Sequence, residues 1–194
     1  MAHTVYQSPA FVLGGTNIGD ADRYVDLFTR DIGLVRAVAQ SVRKERSKLR
    51  YSLQPYTFGN VSLVRGRDVW RLTGAVEDHS VYHTLKDKPQ KIILLYNITT
   101  LLKRLLQGEE QNEYLYDTFM SFVSELERTT AENEELKRME YLTVLRVLFS
   151  LGYVEKKEDL YDSHAYTEEF LEKIMKNEEA IVTEINEALK ESHL

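Results

Sequence analysis

The sequence predicts an α+β protein in which a small five-stranded β-barrel, residues 1–79, precedes an α-helical domain, residues 80–194. Hydrophobic residues alternate with a period of two up to about Thr73, whereas beyond Pro89 they recur with the 3.6-residue period of a helix. The charge changes over the same interval. Residues 1–79 contain 11 Lys and Arg against 8 Asp and Glu, and residues 80–194 contain 14 against 23. The net charge of −6 therefore describes neither half.

Composition limits the class of protein. The chain has 194 residues, of which 43% are hydrophobic and 29% charged, an ordinary globular composition. We find no run of eighteen apolar residues, and residues 1–7 lack the charged head and apolar body of a signal peptide, so we expect a cytoplasmic protein without membrane contact. The absence of cysteine excludes disulfides, thiolate metal sites and cysteine nucleophiles.

Five strand-like segments with turn signals between them lie within the first 75 or so residues. They are residues 6–14, 24–29, 34–40, 57–65 and 69–73. Gly14 and Gly15 are expected to close the first strand ahead of a turn at residues 17–20, and Gly33 separates the second strand from the third. This strand number and length match a partly open Greek-key barrel of the OB type, a common oligonucleotide-binding scaffold.

Basic residues are concentrated in this predicted barrel. Between Arg30 and Arg71 there are 10 positive residues against 3 negative ones, and a basic face on a small domain is typical of nucleic-acid binding. The alternative is that the charged run is only a solvated loop. The residues predicted to contact nucleic acid are Arg36, Arg43, Lys44, Arg46, Lys48, Arg50, Tyr51, Arg65, Arg67 and Arg71.

Aromatic residues near the basic run have two interpretations. Tyr51 and Tyr56 flank its end and either stack on bases or pack against the barrel, whereas Trp70 is expected in the barrel core. Trp70 and Leu72 should point to one side of their strand, and Arg71 to the other.

Other motifs give no catalytic site. Residues 14–19 have the outer glycine spacing of a nucleotide loop but lack its Lys, so a β-turn explains them better. His79 and His83 lie four residues apart, yet no third metal ligand accompanies them at a suggestive spacing. The glutamates near the C-terminus are not paired with a nucleophile or base. We therefore predict no enzyme activity, cofactor or metal.

Four helices are expected after Pro89. The first carries an apolar stripe from Ile92 and ends at Gly108, and Asn112 caps the second. Residues 129–132 have the capping-box pattern ahead of the third, which Gly152 ends. Residues 153–166 form a polar connection, and residues 167–189 form one last acidic helix.

Several segments match, in order, the sequence signature of a known family. They are the Asp-Arg strand at 22–29, the Gly-to-Ala strand at 33–39, the basic loop at 43–48, Leu-Gln-Pro-Tyr at 53–56 and the helix end Leu-Phe-Ser-Leu-Gly-Tyr at 148–153. Together they resemble the RecO family, the bacterial recombination mediators of single-strand gap repair. Two departures stand out. Residues 154–166 lack the four-cysteine zinc module of many relatives, and Ser41 stands where relatives often have Gly.

The resemblance implies a non-enzymatic DNA-repair protein that binds single- and double-stranded DNA and anneals complementary strands. It further implies that the protein works with RecR to help load RecA onto DNA coated by single-stranded-DNA-binding protein (SSB). The helical domain should then receive the C-terminal tail of SSB in an apolar groove with a cationic rim. Candidate rim residues are Lys103, Arg104, Arg138 and Arg146. Two alternatives remain open: an RNA-binding OB-fold protein with a helical interaction domain, and a metal-dependent hydrolase.

Overall fold

The computed structural model describes residues 4–155 and 159–192, and it confirms an α+β protein. Two compact units make up the chain. The first contains the residues up to Thr84 together with Leu106–Asn112, and the second contains Leu85–Leu105 together with the residues from Glu113 onward. The predicted division into domains at residues 79 and 80 remains a prediction.

The first unit is a closed barrel of five strands. They are β1 (Val5–Ile18), β2 (Asp22–Thr29), β3 (Gly33–Ala39), β4 (Thr57–Arg65) and β5 (Trp70–Ser80). Their order around the barrel is β1-β2-β3-β5-β4, and every neighbouring pair is antiparallel except β3 and β5. This is the strand number expected for the OB type.

Alternation along the strands produces the barrel core. In β3, Val35, Ala37 and Ala39 are buried whereas Arg36 is exposed, as predicted. Trp70 and Leu72 of β5 are also buried, which confirms their predicted orientation. The inward-facing side chains of the five strands join Val42 and Leu53, which precede and follow the basic loop, in one apolar cluster. The loop is therefore anchored at both ends.

Two strands are longer than predicted. The prediction that Gly14 and Gly15 end the first strand is wrong, because β1 continues through them to Ile18. The register with β2 shifts between Val12 and Gly14, which is a bulge, and a side chain on Gly15 would place its Cβ 2.1 Å from the Tyr24 carbonyl oxygen. These glycines therefore bend the strand and permit close backbone approach. In the same way, β5 runs to Ser80 rather than ending near residue 73.

The helices complete the chain. They are α1 (Leu49–Ser52), α2 (Val81–Leu85), α3 (Pro89–Leu105), α4 (Glu113–Arg128), α5 (Glu134–Ser150), α6 (Glu168–Lys176) and α7 (Glu178–Glu191), with a 3₁₀ turn at Asp159–Tyr161. Within the second unit, α5 packs against α3, α4, α6 and α7. The predicted stripe of α4 is confirmed, since Leu115, Phe119, Phe122 and Leu126 are all buried.

Three predicted helix limits are wrong. Helix α3 ends at Leu105, three residues before Gly108. The predicted capping box does not form, because α5 begins at Glu134 and the Thr129 hydroxyl instead accepts a hydrogen bond from the nearby Ala131 N–H, at 3.1 Å. The predicted last helix is two helices, which meet at Asn177 (φ −120°, ψ 21°).

The end of α5 agrees with the prediction that Gly152 stops this helix. Gly152 has a φ of +78°, its N–H donates to the Phe149 carbonyl, and the Tyr153 N–H donates to the Leu148 carbonyl. These two bonds form a Schellman motif, in which glycine is favoured because it adopts the left-handed conformation without steric cost. The Leu-Gly-Tyr sequence is thus a helix stop.

A buried arginine holds the connection that follows α5. The Arg146 side chain is fully buried, and its Nε and Nη2 atoms donate to the Leu160 and Ala165 carbonyls at 2.8 and 2.9 Å. Its guanidinium also lies over the rings of Tyr166 and Phe170. The prediction of Arg146 as a groove-rim residue is therefore wrong. Residues 156–158 of the predicted polar connection lie outside the described residues.

Candidate nucleic-acid interface

The outer surface of β2 and β3 forms the centre of the candidate interface. Pairing in register places Tyr24 opposite Val38 and Asp26 opposite Arg36. The Arg36 guanidinium lies 4.8 Å from the centre of the Tyr24 ring, and its Nε is 3.6 Å from the Asp26 carboxylate. These contacts hold an exposed cation on the outer face of β2 and β3. OB barrels bind oligonucleotides with this face and with the β1–β2 and β4–β5 turns beside it. We call Tyr24, Arg36 and Val38 the β2–β3 face.

The basic segment, residues 43–50, follows β3. Its five cationic side chains are exposed: Arg43, Lys44, Arg46, Lys48 and Arg50. The Arg43 backbone N–H donates to the Ala21 carbonyl at 3.0 Å, and its Nη1 donates to the Gly19 carbonyl at 2.7 Å. The basic segment is therefore fixed against the β1–β2 turn, and Arg43 is partly engaged in holding it there.

Ser41 directs the chain into the basic segment. Its φ is +53°, in the left-handed region where glycine pays the smallest steric cost. The Ser41 N–H donates to the Asp22 carboxylate at 2.7 Å, which supports this conformation. The left-handed backbone at Ser41 gives a physical reason why Gly would also suit this position.

The β4–β5 turn supplies the remaining cations. Arg67 is exposed on the turn, and Arg71 is exposed on β5, opposite Val38 of β3. Arg65 differs from them because its Nη1 is 2.9 Å from a Glu109 carboxylate oxygen and its guanidinium lies 5.4 Å from the centre of the Trp70 ring. Arg65 is thus partly neutralised within the first unit.

Strand register defines how the predicted residues are distributed. Because β3 and β5 are parallel and Ala37 pairs with Trp70, the β4–β5 turn lies toward the beginning of β3, whereas the basic segment follows its end. Arg36 lies between them on the β2–β3 face. The basic segment and Arg67 therefore lie toward opposite ends of β3, with Arg36 and Arg71 along the strands between them.

The three aromatic residues have different environments. Trp70 is only 5% exposed, and its Nε1 donates to Glu109 at 2.7 Å, so the prediction of a core position is confirmed. Tyr51 is 72% exposed at the end of α1. Tyr56 is half-buried and has a φ of +65°, and its N–H donates to the Val12 carbonyl at 2.8 Å. Of Trp70, Tyr51 and Tyr56, only Tyr51 is therefore exposed over most of its side chain.

Sequence reasoning missed two residues at this surface. Tyr24 supports Arg36, and counting back across the tight β2–β3 turn would have placed it on the same face. Arg23 donates through Nη1 to the Leu53 carbonyl at 3.3 Å, and burial lowers its pKa from the ordinary arginine value. This contact joins two segments 30 residues apart, and no local pattern indicates it.

The described residues contain no group of three or more His, Cys, Asp or Glu that could hold a metal ion. His79 has its Nε2 3.4 Å from the Thr84 hydroxyl. Among the described helices, none is long and apolar enough to cross a membrane.

The closed five-stranded barrel, with cations around its β2–β3 face and a helical unit in the same chain, defines an OB-type protein with an appended α-helical domain. Residues 1–77 match the family described as "Recombination protein O N terminal". The barrel of this chain is therefore similar to the N-terminal domain of the RecO family.

Similar proteins cover more of the chain than this family match does. The chain is 30% identical over 125 residues to "DNA repair protein RecO" of Dehalococcoides mccartyi strain 195, which covers 64% of this chain and 49% of the relative. It is 27% and 28% identical over 159 residues to the proteins of the same name from strains CBDB1 and BAV1, with 82% of this chain and 61% of each relative covered. The chain thus spans about half to three fifths of these relatives.

Proposed function

We propose that the whole chain is a RecO-family protein, that it binds DNA through the outer surface of its barrel, and that it acts in recombinational DNA repair. One observation supports this most directly: the basic segment and the β4–β5 turn flank the β2–β3 face, where Arg36 is held over Tyr24. The names of its relatives favour DNA over the RNA alternative, since they are called DNA repair proteins.

The proposed contact is mainly with phosphates. Exposed Lys and Arg side chains neutralise phosphates and release condensed counterions, a term that does not depend on base sequence. Lys44, Arg46 and Lys48 are exposed in the basic segment and suit this role. Arg65 should contribute less, because Glu109 already neutralises part of its charge.

Strand annealing follows from the same surface. A cationic protein lowers the repulsion between two polyanionic strands and raises their local concentration, while base pairing supplies the free energy. This step needs no nucleophile, general base or ATP, so the protein acts as a binding protein and not as an enzyme. By family resemblance, RecR is its partner in helping RecA load onto single-stranded DNA.

The first test is a titration of labelled single-stranded DNA, and of RNA of the same sequence, at several salt concentrations. We expect tight binding to DNA, with log K falling linearly as log salt rises, because phosphate contacts release counterions. Equal or tighter binding of RNA would favour the RNA-binding alternative. Binding that does not change with salt would contradict the phosphate-contact mechanism.

The helical unit is the proposed docking site for the SSB tail. Lys103 and Arg104 are exposed near the end of α3, and Arg138 is half-buried on α5. These three are the remaining rim candidates, since Arg146 is buried. A labelled peptide of the acidic, aromatic-tipped SSB tail should bind the full chain at low salt, and Lys103→Ala with Arg104→Ala should weaken it. No binding at low salt would remove the main support for a mediator role.

A further inference from the structure

A tyrosine-lined pocket of about 510 Å³ lies in the first unit, beside the basic segment. It is formed by the residues around the start of β4, the end of β5 and the first residues of α2. The side chains that matter for its chemistry are Tyr51, Tyr56, Tyr82, Pro55, His83 and Glu77. We call it the tyrosine pocket. The sequence separates Tyr51 from Tyr82 by some thirty residues, so only the fold brings them together.

Backbone hydrogen bonds fix the walls of the tyrosine pocket. Thr57 pairs with Ser80 across β4 and β5, and the Val81 N–H donates to the Tyr56 carbonyl at 3.0 Å. The Gln54 amide donates to the Arg50 carbonyl at 2.7 Å and joins the pocket wall to the end of the basic segment. The pocket is therefore preformed on hydrogen-bonded elements.

Two of the three tyrosines in the pocket are not buried in the barrel core. Tyr51 is 72% exposed and Tyr82 is 48% exposed. Single exposed aromatic residues are common on protein surfaces, but here both lie on one concave site beside Tyr56. Aromatic faces exposed in a pocket favour a flat occupant that stacks on them, and their partly negative faces disfavour an anion.

Charge identifies the occupant more closely. Arg50 is adjacent to Tyr51 on α1 and ends the basic segment, whereas Glu77 lies in the pocket wall. A phosphate is favoured on the basic segment and repelled by the Glu77 carboxylate inside the pocket. Single-stranded nucleic acid matches this separation, because its phosphates are anionic and its bases are neutral, flat and free to stack. The bases of a duplex are already stacked on each other and are not available.

We propose that the tyrosine pocket holds an unpaired base of single-stranded DNA, stacked on Tyr51 and Tyr82, while the basic segment holds the neighbouring phosphates. The inference rests on the proposed DNA binding. It adds a property that phosphate contacts do not give, since a base must leave the pocket in order to pair. The tyrosine pocket therefore favours single strands over the duplex that annealing produces, and this preference promotes product release.

The test compares three probes about 15 nucleotides long, a length within the site sizes of OB proteins: oligothymidylate, an abasic strand of the same charge, and a duplex. The full chain is compared with the double variant Tyr51→Ala/Tyr82→Ala. Tyr96→Ala is the matched control, since Tyr96 is 58% exposed and lies outside the pocket on α3. Thermal unfolding should show that all three proteins are folded, because the replaced side chains are exposed.

We expect the wild-type protein to bind oligothymidylate at least about tenfold more tightly than the abasic strand, as expected when one or two bases stack. The double variant should lose this preference but keep its duplex affinity and salt dependence, and Tyr96→Ala should behave as wild type. A folded double variant that keeps the preference, or a wild type that binds both single strands equally, would overturn the pocket proposal and favour a protein ligand there. If the wild type binds none of the probes, the proposed function itself fails.

Discussion

At the residue scale, the protonation of His164 is linked to the stability of the second unit. Its Nδ1 is 2.9 Å from the Thr118 hydroxyl, and its ring centre is 4.7 Å from that of Tyr114. Burial, and then the positive charge of Arg146, lower the pKa of His164 below its ordinary value of 6.5, and Asp117 partly opposes this shift. Folding therefore favours the neutral form of the His164 ring.

The sign of the pH effect follows from this direction. Below pH 6.5 the unfolded chain binds a proton at His164 more readily than the folded chain does. We therefore expect the free energy of unfolding to fall as the pH is lowered from 6.5 toward the folded pKa, and this contribution to be fully present above pH 6.5. Urea unfolding at a series of pH values measures it.

The matched control for this effect is His164→Asn, which removes the titrating ring and keeps a polar group near Thr118. The difference in stability between wild type and variant should shrink as the pH is lowered through this window. A difference that stays constant with pH would show that His164 does not contribute. The neighbouring Tyr166 does not complicate the measurement, because burial raises its pKa to about 12.

At the scale of single elements, the basic segment gives the sharpest prediction about binding. Changing Lys44, Arg46 and Lys48 together to Ala should weaken DNA binding regardless of base sequence. For single-stranded DNA, the slope of log K against log salt should become shallower by about 2, and adding Arg43→Ala should bring this to about 3. Fluorescence titrations at several salt concentrations give the slopes.

Two controls separate lost binding from lost folding. The triple variant should unfold within about 0.5 kcal/mol of wild type because its side chains are exposed, whereas Arg43→Ala also removes the hydrogen bond to Gly19. A variant with Arg128, Lys176 and Lys190 changed to Ala removes the same charge from the second unit. An unchanged salt slope in the triple variant would identify the basic segment as a solvated loop, and the contact surface would then be sought around Arg67 and Arg71.

The elements also differ in how far the sequence could predict them. Local alternation predicts β3 and β4 closely, because most of their inward residues are apolar and Gly residues stand at the start of β3 and after β4. It fails for β1, because a glycine pair has the same appearance at a turn and at a bulge. The helical period likewise predicts α6 and α7 as one helix, because both share one apolar stripe and Asn177 gives no strong break signal.

The sequence predicts the exposed charges of the candidate site but not the contacts that tertiary packing makes there. Exposed cations such as Lys44 and Arg67 are visible in the sequence, because charge alone suggests where they lie. The partners of Arg65 and Arg146 are not visible, because Glu109 and Ala165 reach them through tertiary packing. The tyrosine pocket is of the same kind, since Tyr82 joins Tyr51 only when β5 pairs along β4.

At the scale of the whole molecule, the division of the chain predicts its proteolysis. Residues 86–88, which are exposed between α2 and α3, are the expected first cleavage site within the described residues. Trypsin followed by mass spectrometry should detect cleavage after Lys86 before any cleavage within the strands. Early cleavage inside β2 to β5 would contradict a compact barrel.

A fragment ending at Lys86 should be less well packed than the intact chain, because it lacks residues 106–112 of the first unit. Among these is Glu109, which accepts a hydrogen bond from Trp70. Since the chain has only one tryptophan, its fluorescence reports this contact directly. The emission of the fragment should shift to longer wavelength, whereas a fragment with unchanged emission would show that residues 106–112 are dispensable.

Closure of the barrel limits how anything can attach to it. Every described strand has a neighbour on both sides, and β3 and β5 close the barrel through two residue pairs, Ala37 with Trp70 and Val38 with Arg71. Strand addition through main-chain bonds, which tolerates much side-chain variation, is therefore limited in the described barrel to the lengths of β3 and β5 that do not pair with each other. Recognition by this unit should depend mainly on side chains and turns, and a few surface substitutions should weaken it strongly.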